Sequence, residues 1–273
     1  ERYGSIEDLD RLGVTIEERE EYEPFISTGG VVMAGVDYSD ILHAAEREAD
    51  VIIWDGGNND LPFIKPDLEI VALDPHRPGH ERAYHPGEAN FLRADALVIN
   101  KVNTADPAHV AALRDTAAEH NPGATLIETD SVVAVDGGDG AIAGRKVLVI
   151  EDGPTVTHGG MSYGAGVIAA QRAGAELVDP RPYAKGSLRD TFEKWAHLTQ
   201  VLPAMGYSPE QLHDLAETIR AVPCDAVVVA TPIDLRRLIE FPQDAVRVTY
   251  EVADRGEPTI RGVVETFLDR RNL

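Results

Sequence analysis

The residues best suited to chemistry in this 273-residue chain follow an apolar, β-branched run at residues 50–54. The run ends in an aspartate, two glycines and a polar turn, namely Asp55, Gly56, Gly57, Asn58, Asn59 and Asp60. A carboxylate at a strand end beside a glycine turn is suited to hold Mg²⁺ next to a triphosphate. We predict that Asp55 is catalytic and binds Mg²⁺, that the glycines admit a nucleotide, and that Asn58, Asn59 and Asp60 form a catalytic loop that senses the nucleotide. Alternatively, Asp55 caps the turn.

A second nucleotide signal follows the apolar run 96–99, where the chain reads Asn100-Lys101-Val102-Asn103. It resembles the base-recognition motif Asn-Lys-x-Asp of GTPase-type P-loop proteins, with asparagine in place of aspartate. A carboxylate accepts both guanine donors, whereas an amide offers one acceptor and one donor group. We therefore predict a nucleotide site at Asn100, Lys101 and Asn103 whose preference for guanine is weak, so that both ATP and GTP are possible. A strand-to-helix turn capped by asparagine would look the same.

The phosphate-binding loop expected with these motifs does not occur in the sequence. No Gly-x-x-x-x-Gly-Lys-Ser/Thr is present in the 273 residues. We therefore expect this loop upstream of Glu1, which would make the chain the C-terminal portion of a larger protein. A non-catalytic binding module is the alternative.

The loop at residues 74–81 carries several side chains that could bind a polyanion. Prolines stiffen it, while His76, Arg77 and His80 offer donors for a phosphorylated substrate. A solvated loop with incidental basic residues is the competing interpretation. Zinc bound by His76, His80 and His85 is disfavoured, because the intervening proline and glycine prevent a helical alignment of the imidazoles.

A glycine-rich stretch at residues 152–166 precedes a predicted helix. Backbone amides at a helix start can bind an anion, so this stretch is a candidate second phosphate or substrate site. Its predicted ligands are Thr157, His158, Gly159 and Gly160, with Arg181 and Lys185 as nearby cations. The alternative is a loop whose glycines allow two domains to pack.

Composition limits the classes of partner. The net charge of −22 argues against nucleic acid and anionic membrane surfaces, and leaves small phosphorylated molecules as substrates. Only five of the 25 basic residues are lysine, a bias that resembles proteins of salt-loving archaea. The single cysteine excludes an internal disulfide. Without an apolar run long enough for a membrane span or a signal peptide, we expect a cytoplasmic protein, and leave a homo-oligomer open.

Short apolar runs alternate with helical patterns, which predicts an α/β fold with a mainly parallel, doubly wound, P-loop NTPase-like sheet. Strands are predicted at residues 30–36, 50–54, 69–73, 96–99, 125–128, 146–150, 175–178, 225–230 and 246–251. Helices are predicted at residues 38–49, 107–120, 164–173, 188–197, 209–220, 233–241 and 259–271. The glycine-rich turn 136–140 suggests a boundary between a nucleotide-binding domain at 1–140 and an α/β region at 141–273, which could also be continuous with it.

Several longer blocks carry a family resemblance. They include Asp-Pro-His-Arg-Pro-Gly-His-Glu at 74–81, and the segments 17–24, 54–60, 151–161, 179–184, 202–207 and 231–235. Together they resemble the archaeal cyclic 2,3-diphosphoglycerate synthetase family over nearly the whole chain. The resemblance implies a ligase that uses ATP and Mg²⁺ to close 2,3-diphosphoglycerate into a cyclic pyrophosphate. A GTPase-like regulatory NTPase of the same fold is the alternative. A metal-chaperone GTPase would need a Cys or His cluster that the sequence lacks.

Overall fold

The computed structural model describes residues 1–57, 60–205, 208–232 and 234–273, with the side chains of residues 16 and 17 excepted. Contacts divide the chain into two compact units. Unit 1 comprises Glu1–Ala34 and Val133–Tyr250, and unit 2 comprises Gly35–Val132 and Glu251–Leu273. The chain therefore passes between the units three times, and the domain boundary near residue 140 stays a prediction.

Strands and helices alternate along the chain, which makes this an α/β protein. The strands are β1 (Arg2–Tyr3), β2 (Val32–Met33), β3 (Ile70–Leu73), β4 (Ala96–Ile99), β5 (Thr125–Val135), β6 (Lys146–Asp152), β7 (Glu176–Leu177), β8 (Leu202–Ala204), β9 (Ala226–Ala230) and β10 (Asp244–Asp254). The helices are α1 (Ile6–Arg11), α2 (Ile16–Ser27), α3 (Tyr38–Ala45), α4 (His80–Ala83), α5 (Gly87–Arg93), α6 (Pro107–His120), α7 (Gly153–Val156), α8 (Ala165–Arg172), α9 (Ser187–Lys194), α10 (Pro209–Ala221) and α11 (Ile260–Arg271). Short 3-10 turns lie at Asp139–Ala141, Arg181–Tyr183 and Leu235–Arg237. Across the described segments, no helix combines the length and apolar character that a bilayer crossing requires.

Unit 1 is built on parallel strands in the order β10-β9-β6-β7, with β8 also paired to β6. All five residues of β9 are buried, as are the five central residues of β6. The continuous apolar runs at residues 226–230 and 147–150 are typical of parallel strands that are covered on both faces. A small antiparallel pair, β1 with β2, completes the strands of this unit.

Unit 2 is built on β3, β4 and β5, which pair in parallel in that order. Alternate residues of β4 face two different helices. Leu97 and Ile99 belong to the cluster that contains the buried side of α6, whereas Ala96 and Val98 pack with Ile260 and Val263 of α11. Helices therefore cover both faces of β4. A doubly wound, P-loop-like sheet for the whole protein stays a prediction.

Three sequence-based element predictions are wrong. Residues 50–54 form no strand, because the structure provides them with no pairing partner. The strand predicted at 30–36 is reduced to the two residues of β2. Among the described residues of 233–241, only the 3-10 turn Leu235–Arg237 is helical. The sequence reading also missed α2, whose amphipathic pattern is weak and whose clearest signal is the capping box between Thr15 and Glu18.

The acidic composition makes a testable prediction about salt. Several ion pairs are surface contacts, such as Arg172 with Asp139, in which both side chains are 43% exposed. Exposed ion pairs contribute little to the stability of the fold, so salt loses little stability by screening them. Salt also screens the self-repulsion of a net charge of −22, which gains stability. We expect the melting temperature to rise from dilute buffer to about 1 M KCl, by roughly 2–4 °C for each 1 kcal/mol gained. A flat or falling thermal-denaturation series would contradict this.

Candidate functional site

Unit 2 encloses a cavity of about 1470 Å³. Its lining includes five of the predicted site residues, namely Asp55, Gly56, Gly57, Arg77 and His80. Asp60 closes the turn, since its backbone N–H donates to the Gly57 carbonyl at 3.0 Å and its carboxylate accepts the Gly57 N–H at 3.2 Å. The predictions for Asn58 and Asn59 fall outside the described residues. The structure thus places the Asp55 turn and the 74–81 loop around one space.

Asp74 is the centre of charge at the rim of this cavity. Its Oδ2 accepts hydrogen bonds from Arg77 Nη2 at 2.9 Å and from Lys101 Nζ at 3.3 Å, and its Oδ1 accepts the His76 N–H at 3.0 Å. Burial raises the pKa of Asp74, but Lys101, the His76 amide and Arg77 together hold it below the usual value. Two cations therefore share one carboxylate, which leaves a net positive charge that suits a phosphate.

Lys101 reaches this position through an unusual backbone. Its φ of +59° lies in the left-handed region, where a residue with a side chain is strained by about 1–2 kcal/mol. Asn100 supports the turn, because its Oδ1 accepts the Lys101 N–H at 2.7 Å and the hydroxyl of the fully buried Thr129 at 3.0 Å. Strain held in place by neighbours is common at functional sites. We infer that the turn fixes Lys101 beside Asp74.

The Asn103 amide is engaged with the backbone. Its Nδ2 donates to the Ser131 carbonyl at 2.9 Å, and its Oδ1 accepts the Ser131 N–H at 3.0 Å. This pair of bonds ties the loop after β4 to β5. A contact between Asn103 and a nucleotide base stays a prediction, and it would require both bonds to break.

Replacing Asn103 by Asp separates these two roles. The carboxylate would keep the bond from the Ser131 N–H but would face the Ser131 carbonyl without a proton to donate. We expect the free energy of unfolding to fall by about 1–2 kcal/mol, while the ratio of ATP to GTP affinity stays unchanged. Denaturant titration and competition binding measure the two quantities. A shift toward GTP would mean that the side chain leaves Ser131 and reads the base.

The histidines of the 74–81 loop have separate surroundings. His76 Nε2 lies 3.0 Å from the Thr104 hydroxyl, which itself donates to the Lys101 carbonyl, so Nε2 is the donor to Thr104. Burial lowers the pKa of His76, which favours a neutral imidazole near pH 7. His80 packs edge-on against Tyr84. In the part of the chain that the structure describes, no three Cys, His, Asp or Glu residues converge to hold a metal.

Unit 1 has a distinct polar feature at the carboxyl end of β6. Glu151 is 2% exposed, and its Oε1 accepts the N–H groups of Gly164 and Val167 at 3.1 and 3.0 Å. A Cβ at Gly164 would lie 2.4 Å from Glu151 Oε2, so a larger residue at this position would displace the carboxylate. Burial raises the pKa of Glu151 to about 7, against the opposing effect of the amides of α8. A phosphate at the start of α8 would have to compete with this carboxylate.

The predicted ligands of the glycine-rich stretch form a closed turn. The buried Thr157 hydroxyl donates to the Gly153 carbonyl at 2.7 Å, which leaves His158 Nδ1 as the donor to Thr157 at 3.2 Å. The N–H groups of Gly159 and Gly160 bond to carbonyls within the same turn. His158 also packs edge-on against Trp195. Substrate binding by these residues stays a prediction.

Arg181 and Lys185 occupy a different part of unit 1. Arg181 forms a bidentate pair with Asp179, through Nη2 at 2.7 Å and Nε at 2.9 Å, and this pair lowers the pKa of Asp179. Lys185 is anchored by its backbone N–H, which donates to Thr218 Oγ1 at 3.0 Å, and its side chain is exposed. Asp179 therefore already neutralises Arg181, whereas Lys185 is the more accessible cation.

Sequence reasoning left Asp74 and Glu151 out of the predicted site. Asp74 is the first acidic residue after the apolar strand β3, and Glu151 is the first acidic residue after the apolar part of β6. Such positions at the ends of parallel strands collect ligand-binding groups. The same signal that selected Asp55 would have found both. Of the groups that contact them, Lys101, Gly164 and Val167 lie 13 or more residues further along the chain, whereas His76 and Arg77 follow Asp74 closely.

No protein-family model matches this chain. It is 54% identical over 268 residues to arginine synthetase ArcE of Thermococcus kodakarensis. The chain is similar to an arginine synthetase. The match covers 98% of the chain but 60% of the relative, so the chain spans less than two thirds of the length of that protein.

This similarity corrects the function that we expected. Synthesis of cyclic 2,3-diphosphoglycerate is wrong for this chain, because a relative at 54% identity is named for arginine instead. The expectation of a ligase agrees with the name of the relative. The expected substrate, 2,3-diphosphoglycerate, does not agree with it.

Proposed function

We propose that this chain is part of an ATP-dependent ligase that forms arginine. The observation that carries the proposal is the 54% identity to an arginine synthetase over 98% of the chain. Identity at this level, sustained over almost every element, supports conservation of the reaction class. Because the relative is longer, the activity would belong to a chain that extends beyond these 273 residues.

The cluster of Asp74, Arg77 and Lys101 supports a nucleotide site in unit 2. Its surplus positive charge suits a phosphate, and it lies at the rim of a cavity that Asp55 also lines. Asp55 could supply one carboxylate to Mg²⁺, whose other ligands would be phosphate oxygens and water. A phosphate-binding loop from outside this chain would complete such a site, as in P-loop proteins.

Arginine formation defines the substrate class. A guanidino group arises when a nitrogen replaces the oxygen of a ureido group, and that oxygen is a poor leaving group. Nucleotide cleavage solves this problem, because transfer of a phosphoryl group to the oxygen lets it depart as phosphate when ammonia attacks the carbon. The balanced reaction consumes a ureido amino acid, ammonia and ATP, and releases arginine, ADP and phosphate.

The test is arginine formation by the full-length protein. ATP, Mg²⁺, ammonia and an amino acid with a ureido side chain should yield arginine in amounts equal to the ADP released. Omission of the ureido acid should abolish arginine and strongly reduce ADP. ATP cleavage that proceeds without arginine from any ureido acid would overturn the proposal.

A further inference from the structure

The cavity of unit 2 is larger than a small ligand requires. Pockets for small molecules usually enclose about 300–1,000 Å³, whereas this cavity has a volume of about 1470 Å³. Much of its wall is apolar chain rather than convergent polar groups. Residues 50–57 form one part of the lining, and β3 with its flanking residues forms another. The cavity therefore fits a polypeptide segment better than a metabolite.

One side of β3 has no partner among the described strands. The carbonyls of Glu69 and Leu73 accept bonds from Ala96 and Asn100 on the β4 side. Because successive residues of a strand direct their backbone groups to opposite sides, Ile70 and Ala72 point theirs away from β4. β3 is also the last strand in the order β3-β4-β5, and Ile70 is 39% exposed. This is an open sheet edge with apolar residues.

A second set of unpaired apolar residues borders the same cavity. Val51, Ile52 and Ile53 are 47%, 39% and 76% exposed. Valine and isoleucine favour strands, and their sequence predicted one at residues 50–54. Natural proteins rarely leave a β-prone run and an open sheet edge uncovered side by side. Both features are explained together if a strand is missing between them.

We propose that an additional apolar β-strand fills this cavity, parallel to β3, supplied by a part of the protein outside these 273 residues. It pairs with Ile70 and Ala72 on one side and with residues 51–54 on the other, which then become a strand. The relative extends well beyond the match, since the chain spans 60% of its length. The parallel direction follows from β3, β4 and β5, which all run the same way.

The added strand has a consequence for the site. Carboxyl ends of parallel strands meet at one edge of a sheet, so the residue after this strand lies between the ends of its two neighbours. Those ends carry Asp55 and Asp74. A loop that follows the strand would present its backbone amides beside both carboxylates and Lys101. The inference rests on the proposed function only in taking the protein to be longer than this chain, and it makes no use of arginine chemistry.

Hydrogen exchange tests the pairing directly. We expect the amides of Ile70 and Ala72, and those of alternate residues in 51–54, to exchange at least about 100-fold more slowly in the full-length protein than in the 273-residue chain. Equal exchange in the two proteins would overturn the proposal. Arginine formation measured on the same full-length sample reports on the proposed function separately, so that failure of one is not failure of the other.

A pair of proline variants gives an independent test. Ala72→Pro removes an N–H that points to the added strand and leaves the bonds to β4 intact. Val71→Pro removes one that points to β4. We expect Ala72→Pro to lower the melting temperature of the full-length protein by at least 5 °C while leaving that of the 273-residue chain within about 2 °C, and Val71→Pro to lower both. A large effect of Ala72→Pro on the 273-residue chain would contradict the assignment.

A second copy of the chain is the competing occupant. In that case the 273-residue chain alone would dimerise, and the amides of Ile70 and Ala72 would become protected as its concentration rises. Sedimentation velocity combined with hydrogen exchange at several concentrations measures this. A monomer whose amides exchange fast at every concentration is the result that we expect, and concentration-dependent protection would overturn the proposal.

Discussion

Replacing Glu151 by Gln should stabilise the protein by up to about 3 kcal/mol at pH 8. Burial raises the folded-state pKa of Glu151 from 4.5 to about 7. A raised carboxyl pKa means that the folded state binds the proton more tightly than the unfolded state does. Protonated Glu151 therefore makes its full contribution to the free energy of unfolding below about pH 4.5, and this contribution is lost as the pH rises through about 7. Glutamine is neutral at every pH and keeps an oxygen to accept the Gly164 and Val167 amides.

Denaturant titrations of wild type and Glu151→Gln at pH 5, 6, 7 and 8 measure this effect. From pH 5 to pH 8, the free energy of unfolding of wild type should fall more than that of Glu151→Gln. The difference between the two falls is the contribution of Glu151. Asp152→Asn is the matched control, since Asp152 is adjacent and less buried. It should leave most of the pH dependence between 5 and 8 in place, because burial is the largest cause of the raised Glu151 pKa and the charge of Asp152 is a smaller one. Parallel curves for wild type and Glu151→Gln would show that Glu151 is already charged at pH 5.

The second large effect is expected at Lys101. Its Nζ lies 3.3 Å from Asp74, and its side chain is 32% exposed, so it can turn from this carboxylate to a bound phosphate. A hydrogen bond to a charged group contributes about 1.5–3 kcal/mol, which corresponds to roughly a 10- to 150-fold change in Kd. We expect Lys101→Met to weaken ATP binding to the full-length protein by this factor. Calorimetric titration provides the measurement.

Lys146→Met is the control for this experiment. Lys146 is a surface residue of unit 1 whose side chain is 58% exposed and 3.7 Å from Glu176. It carries the same charge and undergoes the same substitution, so it should leave Kd unchanged. Both variants should keep the wild-type fold, because partly exposed ion pairs contribute about 1 kcal/mol or less. Equal ATP affinity of Lys101→Met and wild type would place the nucleotide elsewhere.

The elements that were predicted correctly are those that their own local sequence determines. The helix at 107–120 could be predicted because a capping residue, Asp106, precedes a proline suited to the first helical turn, Pro107. Both features are present in α6. The strand at 96–99 was readable because it is apolar without interruption, and all four residues of β4 are buried. In these cases composition and burial point to the same structure, so no tertiary information was needed.

Elements that depend on distant partners could not be read in the same way. Residues 50–54 have the composition of a strand, yet a strand requires a neighbour, and none of the described strands pairs with them. The site shows the same limit. The sequence located the loops that contain Arg77 and Lys101, but the fact that both contact the carboxylate of Asp74 is apparent only once β3 and β4 are placed side by side.

The most direct test of the proposed ligase runs the reaction in reverse, in which arginine, ADP and phosphate yield ATP, ammonia and the ureido acid. Full-length protein is incubated with labelled arginine, Mg²⁺, ADP and phosphate, and ATP is measured together with the arginine consumed. We predict that ATP appears in proportion to the arginine lost, that omission of either ADP or phosphate stops both, and that Lys101→Met slows both. Arginine that stays intact under these conditions, with a folded protein that binds ATP, would contradict the assignment of this chain to arginine synthesis.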